Sequence, residues 1–304
     1  MATANDEMDF APPPGPPPLL SKDDLVTIAR QGYLPVTLSD SLKSDLDKLF
    51  EKLEAFYAQP LQLKKELYPE KHFTEFGYYH VEDEKEYVTL RRSSDQGGDP
   101  ELETFAAKVW QQAGALLHRM LCDIARATEL PPSVWDQMLD GTLTLPANET
   151  DMTATLLRLF KYFPGQGFAG KHTDLGLLTL CCGTAPGLQC LKNDEVEPCW
   201  VDAQGPVVLV GQTLRALSDG LIRPGVHQVV PNPKGRFSVV FALRHSFKHQ
   251  IDLERFGGEG SVDPRKLWEQ LKIGVVNVNA RKDLRDKQRQ IQEAMRAAQS
   301  KGQG

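Results

Sequence analysis

His172 and Asp174, one residue apart, and His227, 53 residues further on, are the side chains whose types and order point to chemistry. Two imidazoles and one carboxylate fill three positions of an octahedral ion and leave three open. That donor set suits non-haem Fe(II), with room for O₂ and an organic chelator. A structural zinc site would instead close its shell with four protein donors. His-x-Asp is common in a chain of 304 residues, so its neighbours decide its meaning. On a strand, residues i and i+2 share a face, so His172 and Asp174 are expected to converge while Thr173 turns away. His227, flanked by Val226, Val229 and Val230, reads as a strand residue that an antiparallel fold brings opposite the first pair.

After His227 the chain passes through Pro231-Asn232-Pro233-Lys234-Gly235, a turn by composition, into an extended run from Arg236 to Arg244. Period two puts Arg236, Ser238, Val240, Ala242 and Arg244 on one face, and Phe237, Val239, Phe241 and Leu243 on the other. The second face is too apolar to be the wet one. If both faces are covered, Arg236 needs an anionic partner. Its planar fork and the Ser238 hydroxyl together suit the distal carboxylate of a dicarboxylic acid.

Strands must position these groups. From Thr153 onward, short β-rich runs alternate with Gly and Pro clusters: 154–162, 175–182, 187–191, 200–202, 207–210, 226–230 and 236–244. Their number predicts a mainly β fold, a double-stranded β-helix or jelly roll covering residues 151–250. Helices come before the strands rather than between them, which argues against a doubly wound parallel sheet. Residues 22–150 are expected to form a helical and strand layer. It contains a short helix at 23–31, a strand at 33–38, an amphipathic helix at 39–58 capped by Ser39 and a long helix at 101–128. Extended segments at 76–79 and 86–90 lie between the two longer helices. His118, inside the long helix, has no second ligand three or four residues away and reads as a boundary residue. Residues 1–21, with seven consecutive Pro or Gly positions at 12–18, read as a disordered or polyproline arm, either an SH3-type ligand or an uninvolved tail. Residues 251–304 end in a helical tail, either a lid over the barrel mouth or a solvated helix.

A net charge of −6 offers no footprint for nucleic acid or an anionic membrane, and no apolar run reaches the roughly 18 residues of a membrane span. Five cysteines without a CxxC pair, in a chain without a recognisable signal peptide, read as reduced thiols of a cytoplasmic protein.

Several segments resemble the Fe(II)- and 2-oxoglutarate-dependent oxygenases of the isopenicillin N synthase-like group. They are Leu157-Arg158-Leu159 before Tyr162, His172-Thr173-Asp174-Leu175-Gly176-Leu177-Leu178-Thr179, Gly187-Leu188-Gln189, Trp200-Val201, His227 with Val229-Val230, and Arg236 with Ser238. Weaker similarity at Gly32-Tyr33, Phe56-Tyr57, Leu63-Lys64-Lys65 and Gly77-Tyr78 extends the likeness over most of residues 22–280. The resemblance implies that His172, Asp174 and His227 hold iron, that Arg236 and Ser238 hold the C5 carboxylate of 2-oxoglutarate, and that Tyr162 hydrogen-bonds nearby. It implies O₂-driven decarboxylation of 2-oxoglutarate to succinate, coupled to hydroxylation, desaturation or rearrangement of a small organic substrate, in specialised metabolism. Phe160 departs from the pattern, because many plant relatives carry Asn there. Some relatives keep Arg-x-Ser yet use no 2-oxoglutarate, so an oxidase or cyclase on the same iron site is an alternative, as is a non-catalytic small-molecule binder. Glu75 stands where the penicillin-forming enzyme has a substrate-gripping arginine, which argues against that substrate. For substrate contacts the candidates are Tyr79, Tyr87, Arg91, Phe163, Ala242 and Arg244. Ala242 is expected to open space for a ring and Arg244 to receive an acidic group on it.

Overall fold

The computed structural model describes residues 17–71, 74–94, 97–193, 199–273, 275, 277–279, 282–287 and 290–291. Most of the proline-rich arm and most of the tail therefore lie outside the described residues. Helix α1 (Lys22–Gln31) starts at a capping box, in which Ser21 and Asp24 each satisfy the other's backbone N–H, and ends at Gly32 in a left-handed conformation (φ 74°). Strand β1 (Tyr33–Pro35) follows. Helix α2 (Asp40–Tyr57) is capped by Ser39, and its stripe of Leu42, Leu46, Leu49, Leu53 and Phe56 is buried. Next come α3 (Leu61–Leu67) and the hairpin β2 (Gly77–Val81) and β3 (Lys85–Leu90). The 28-residue helix α4 (Pro100–Ala127) starts with Asp99 as N-cap and Pro100 at its first position, and it packs along α2. His118, half-buried on α4, takes no part in the site.

Eight strands then build the core: β4 (Leu156–Tyr162), β5 (Ala169–His172), β6 (Leu178–Gly183), β7 (Leu188–Lys192), β8 (Cys199–Asp202), β9 (Val207–Val210), β10 (His227–Val229) and β11 (Arg236–Leu243). The short helix α5 (Gln212–Leu217) interrupts them. A small hairpin, β12 (Ile251–Asp252) and β13 (Ser261–Val262), precedes α6 (Pro264–Lys272), and residues 282–287 are again helical. The pairings are antiparallel. One sheet runs β1-β9-β6-β11-β4-β3-β2 and the other β5-β10-β7-β8. The two sheets face one another as a jelly roll without closing into a barrel, and the first three strands extend the larger sheet.

Register explains why the larger sheet has two different faces. Arg236, Ser238, Val240 and Ala242 of β11 lie opposite Tyr162, Phe160, Arg158 and Leu156 of β4, so all eight point to the inner side. The alternate residues Leu157, Leu159, Val239 and Phe241 point outward into the core shared with α2 and α4. There Phe241 meets Trp110 edge to face at 5.2 Å between ring centres, and Tyr57 donates its hydroxyl hydrogen bond to the Leu159 carbonyl.

Two expectations need correction. The strand predicted to carry both His172 and Asp174 stops at His172, and the next one begins at Leu178 rather than Leu175. The carbonyls of Asp174, Leu175 and Gly176 are engaged by the backbone N–H groups of Gln212 and Thr213 at the start of α5, at 2.8–3.1 Å. Those N–H groups have no intrahelical acceptor, and they hold residues 174–176 out of the ladder. Because Phe241 is 1% exposed and central to the outward core, Phe241→Ala should destabilise the fold by about 3–5 kcal/mol in urea denaturation.

Candidate active site

His172 ends β5 and His227 begins β10, and the two are direct cross-strand partners with ring centres 4.1 Å apart. Each ring is oriented by its own chain. His172 Nδ1 lies 2.7 Å from the Gly170 carbonyl oxygen and His227 Nδ1 lies 3.0 Å from that of Gly225. An Nδ1–H donated to each carbonyl leaves both Nε2 lone pairs free. Asp174 enters from the bend after β5. Its backbone is tied to Gln212, whose side chain also donates to the Thr173 hydroxyl at 2.8 Å. One ligand atom from each of His172, Asp174 and His227 falls within 4.8 Å of the others.

Burial and the neighbouring His227 push His172 down to about 3, so its ring is neutral and available as a donor. Burial alone would raise Asp174, yet His227, His172 and Thr179 hold it below the usual carboxylate range. Asp174 Oδ2 is buried with no hydrogen-bond partner. An orphaned carboxylate oxygen beside two imidazoles fits a divalent cation, and a donor set of three fits Fe(II).

A cavity between the two sheets contains all three donors and is also lined by Arg158, Phe160, Tyr162, Cys181, Ser238, Val240 and Arg236. Arg236 is buried, burial lowers its pKa, and no carboxylate among the described residues pairs with it. Its Nε is buried without an acceptor, and its guanidinium lies 5.6 Å from the centre of the Tyr162 ring. Two glycines make room for it. A Cβ on Gly183 would stand 2.0 Å from Arg236 Nη2, and one on Gly187, which also has φ 142°, would stand 3.2 Å from Arg236 Cδ. Ser238 Oγ donates to the Cys182 carbonyl at 3.1 Å, which leaves its lone pairs to accept. A buried cation held in a prepared space and lacking an internal anion fits a carboxylate ligand such as that of 2-oxoglutarate.

The remaining sequence candidates are placed unevenly. Tyr79 of β2, Tyr87 of β3 and Phe160 of β4 form a row of rings at 5.0 and 5.1 Å, and Phe160 stacks on Tyr162 at 5.3 Å. Only the last two line the cavity. Phe160 thus puts a ring where a polar amide was the alternative. Phe163 is not brought in; it packs near His80 beyond the end of β4. Arg91 spends its donors on the carbonyls of Thr153 and Thr74. Ala242 is buried on the inner face between Leu156 and Thr179, beyond the cavity lining. Arg244 follows the end of β11 and already holds a carboxylate, that of Glu75, at 2.8 Å. Sequence reasoning did not single out Arg158, although period two along β4 puts it on the face of Phe160 and Tyr162. Nor did it single out Val278 and Asn279, which reach the cavity from the C-terminal extension; Lys85 donates to the Val278 carbonyl at 3.2 Å and Tyr87 to that of Asn279. Nothing in the local sequence marks those two.

Residues 154–245 match the 2OG-Fe(II) oxygenase superfamily. The 2-oxoglutarate-dependent dioxygenase ecdG of Aspergillus rugulosus is 30% identical over 118 residues, which is 35% of this chain and 35% of the relative. The match therefore spans about a third of that relative's length. The structure of a Neurospora crassa protein in complex with alpha-KG and 5-formyluracil superposes with a TM-score of 0.64 at 20% identity, covering 82% of this chain and 88% of that one. That of JOX2 with 2OG, Fe and JA also gives 0.64, at 16% identity, covering 88% and 86%. At these identities the two structures establish the shared oxygenase fold. No described helix is long and apolar enough to cross a membrane.

Gly183→Ala should displace the Arg236 guanidinium while leaving His172, Asp174 and His227 in place. Calorimetry is expected to show Fe(II) or Co(II) affinity close to wild type and 2-oxoglutarate affinity lowered by about tenfold or more. Removing a donor by His227→Ala should instead abolish stoichiometric metal, measured by elemental analysis, in a protein that still unfolds cooperatively.

Proposed function

We propose that this chain is an Fe(II)- and 2-oxoglutarate-dependent oxygenase acting on a small organic molecule, in specialised metabolism. The observation that carries the reading is one cavity holding three convergent metal donors and, beside them, a buried arginine without a carboxylate partner. The assigned roles are metal binding for His172, Asp174 and His227, and cosubstrate binding for Arg236 and Ser238 with Tyr162 beside them. Fungal relatives named as 2-oxoglutarate-dependent dioxygenases support both the cosubstrate and the setting.

Bound iron would supply the oxidising power from O₂ and 2-oxoglutarate, with CO₂ and succinate as coproducts. The protein's part is placement and exclusion. His172, held neutral, and His227, both oriented through Nδ1, would hold the metal together with ionised Asp174 and leave room for exogenous ligands. Arg236 and Ser238 fix the far carboxylate, which sets the direction in which 2-oxoglutarate reaches the metal. Phe160, Tyr162, Val240 and Val278 surround the reacting centre with apolar surface and keep water from it.

Residues 22–150 support the core at 151–250, and the 251–304 extension covers it, through Val278 and Asn279. A net charge of −6 and free cysteines support a cytoplasmic enzyme without a nucleic-acid partner. A 2-oxoglutarate-independent oxidase is less well supported, because Arg236 would then stay buried without an anion.

Purified protein with Fe(II), 2-oxoglutarate and O₂ should form succinate, faster with the true substrate; product without succinate would identify an oxidase instead. Arg236→Ala should cost on the order of 3–5 kcal/mol in cosubstrate binding, more than a hundredfold in Kd by calorimetry, and Arg236→Lys should fall between. Unchanged 2-oxoglutarate dependence in Arg236→Ala would overturn the assignment.

A further inference from the structure

At the end of β11 opposite Arg236, the inner face carries a second arginine site. Arg244 Nη1 lies 2.8 Å from Glu75 Oε2, and Arg158 Nη2 lies 2.7 Å from Glu75 Oε1, so one carboxylate bridges two guanidinium groups. Arg158 belongs to β4 of the larger sheet. Arg158 lines the metal cavity, and Arg244 follows the last residue of β11 with its guanidinium 4.8 Å from the centre of the Trp268 ring. Glu75 comes from outside, on the loop between α3 and β2, with a left-handed backbone (φ 62°) that glutamate seldom adopts. Its side chain is 43% exposed, against 15% and 7% for Arg158 and Arg244.

Charge does not balance at this end. Arg91 also lies within electrostatic reach of Glu75 and Arg244, so three guanidinium groups stand against two carboxylates, Glu75 and Asp174. Arg91 is engaged by backbone carbonyls, but Arg244 Nε is buried with no acceptor. Arg158 lines the cavity that holds the metal donors, and both Arg158 and Arg244 act on the Asp174 charge.

We propose that Arg158 and Arg244 form the receptor for a carboxylate on the substrate, and that Glu75 is a tethered occupant of this receptor which the substrate displaces. The inference rests on the oxygenase reading for what happens to the substrate afterwards, and on the protein alone for the binding. The substrate class is a small organic acid, its carboxylate held at the Arg244 end and its body lying along the apolar inner face toward the metal. Glu75 then sets selectivity: a neutral analogue gains nothing from the arginines and leaves Glu75 in place, whereas an acid exchanges one carboxylate for another. Carboxylate rather than a larger anion is favoured because the two oxygens of Glu75 already span the pair of guanidinium groups.

The test uses the full chain and three acids, phenylacetate, 3-phenylpropionate and hexanoate, each against its methyl ester. Binding is followed by tryptophan fluorescence, with Trp268→Phe as the control that assigns the signal, and by amide hydrogen exchange at residues 74–76. Acids should bind more tightly than esters and raise exchange at 74–76. Glu75→Gln should tighten the acids by about tenfold or more and leave the esters unchanged, because it removes like-charge repulsion. Arg244→Ala should remove the preference for acids. Equal binding of acids and esters in wild type and Glu75→Gln, or acid binding without a change in exchange at 74–76, would overturn the proposal. Succinate formation from 2-oxoglutarate without added substrate separates the two readings. If it occurs while acids show no preference, the receptor is wrong and the oxygenase stands; if it is absent while acids bind preferentially, the reverse holds.

Discussion

The alternation of side chains along β11 is the constraint on which the rest depends. A strand has two faces, and this one must satisfy both at once. Val239 and Phe241 are driven into a core with α2 and α4 by their apolar area, and that packing fixes the register with β4 and β6. Arg236, Ser238 and Val240 then have no choice of direction and face the interior between the sheets. A slip of one residue would bury Phe237 in the cavity and send the arginine into the helices. The helical layer, which touches no reacting atom, is therefore what aims the site.

Two buried arginine positions bracket that strand, and they differ in how their charge is met. Around Arg236 the chain supplies space, through Gly183 and Gly187, but, among the described residues, no acid. Around Arg244 the chain supplies an acid of its own, Glu75. Desolvation opposes both cations, so an anion is demanded at each end. The metal donors lie between, with Asp174 close enough to Arg158 and Arg244 to share their field.

Much of this was legible in the sequence because it follows from period and residue type. The apolar stripe of α2, its Ser39 cap, the bounds of β9, the helices-then-strands order and the inward run of Arg236, Ser238, Val240 and Ala242 all derive from local rules. That His172, Asp174 and His227 would converge was expected from their kinds and order, and one ligand atom from each lies within 4.8 Å of the others. What was not legible depends on contacts between distant segments. Asp174 leaves its strand because the start of α5, some forty residues on, engages the carbonyls around it. Arg244 was read as free because nothing near it in sequence announces Glu75, 169 residues away. Val278 reaches the cavity from a segment whose local pattern gives no reason to expect it there.

The junction between α1 and β10 has a consequence of its own. Gly32, which ends α1, comes so near Pro224 and Gly225 that a Cβ there would lie 2.5 Å from the Pro224 carbonyl carbon. Val210 donates to the Gly32 carbonyl at 2.8 Å and Gly225 to that of Val210 at 2.9 Å. Gly225 in turn accepts the hydrogen bond that orients His227. The amino-terminal helix is thus three contacts from the His227 imidazole, with no flexible side chain between. Crowding at that distant glycine would be felt as a rotated imidazole, so the fidelity of the metal centre is partly written at residue 32.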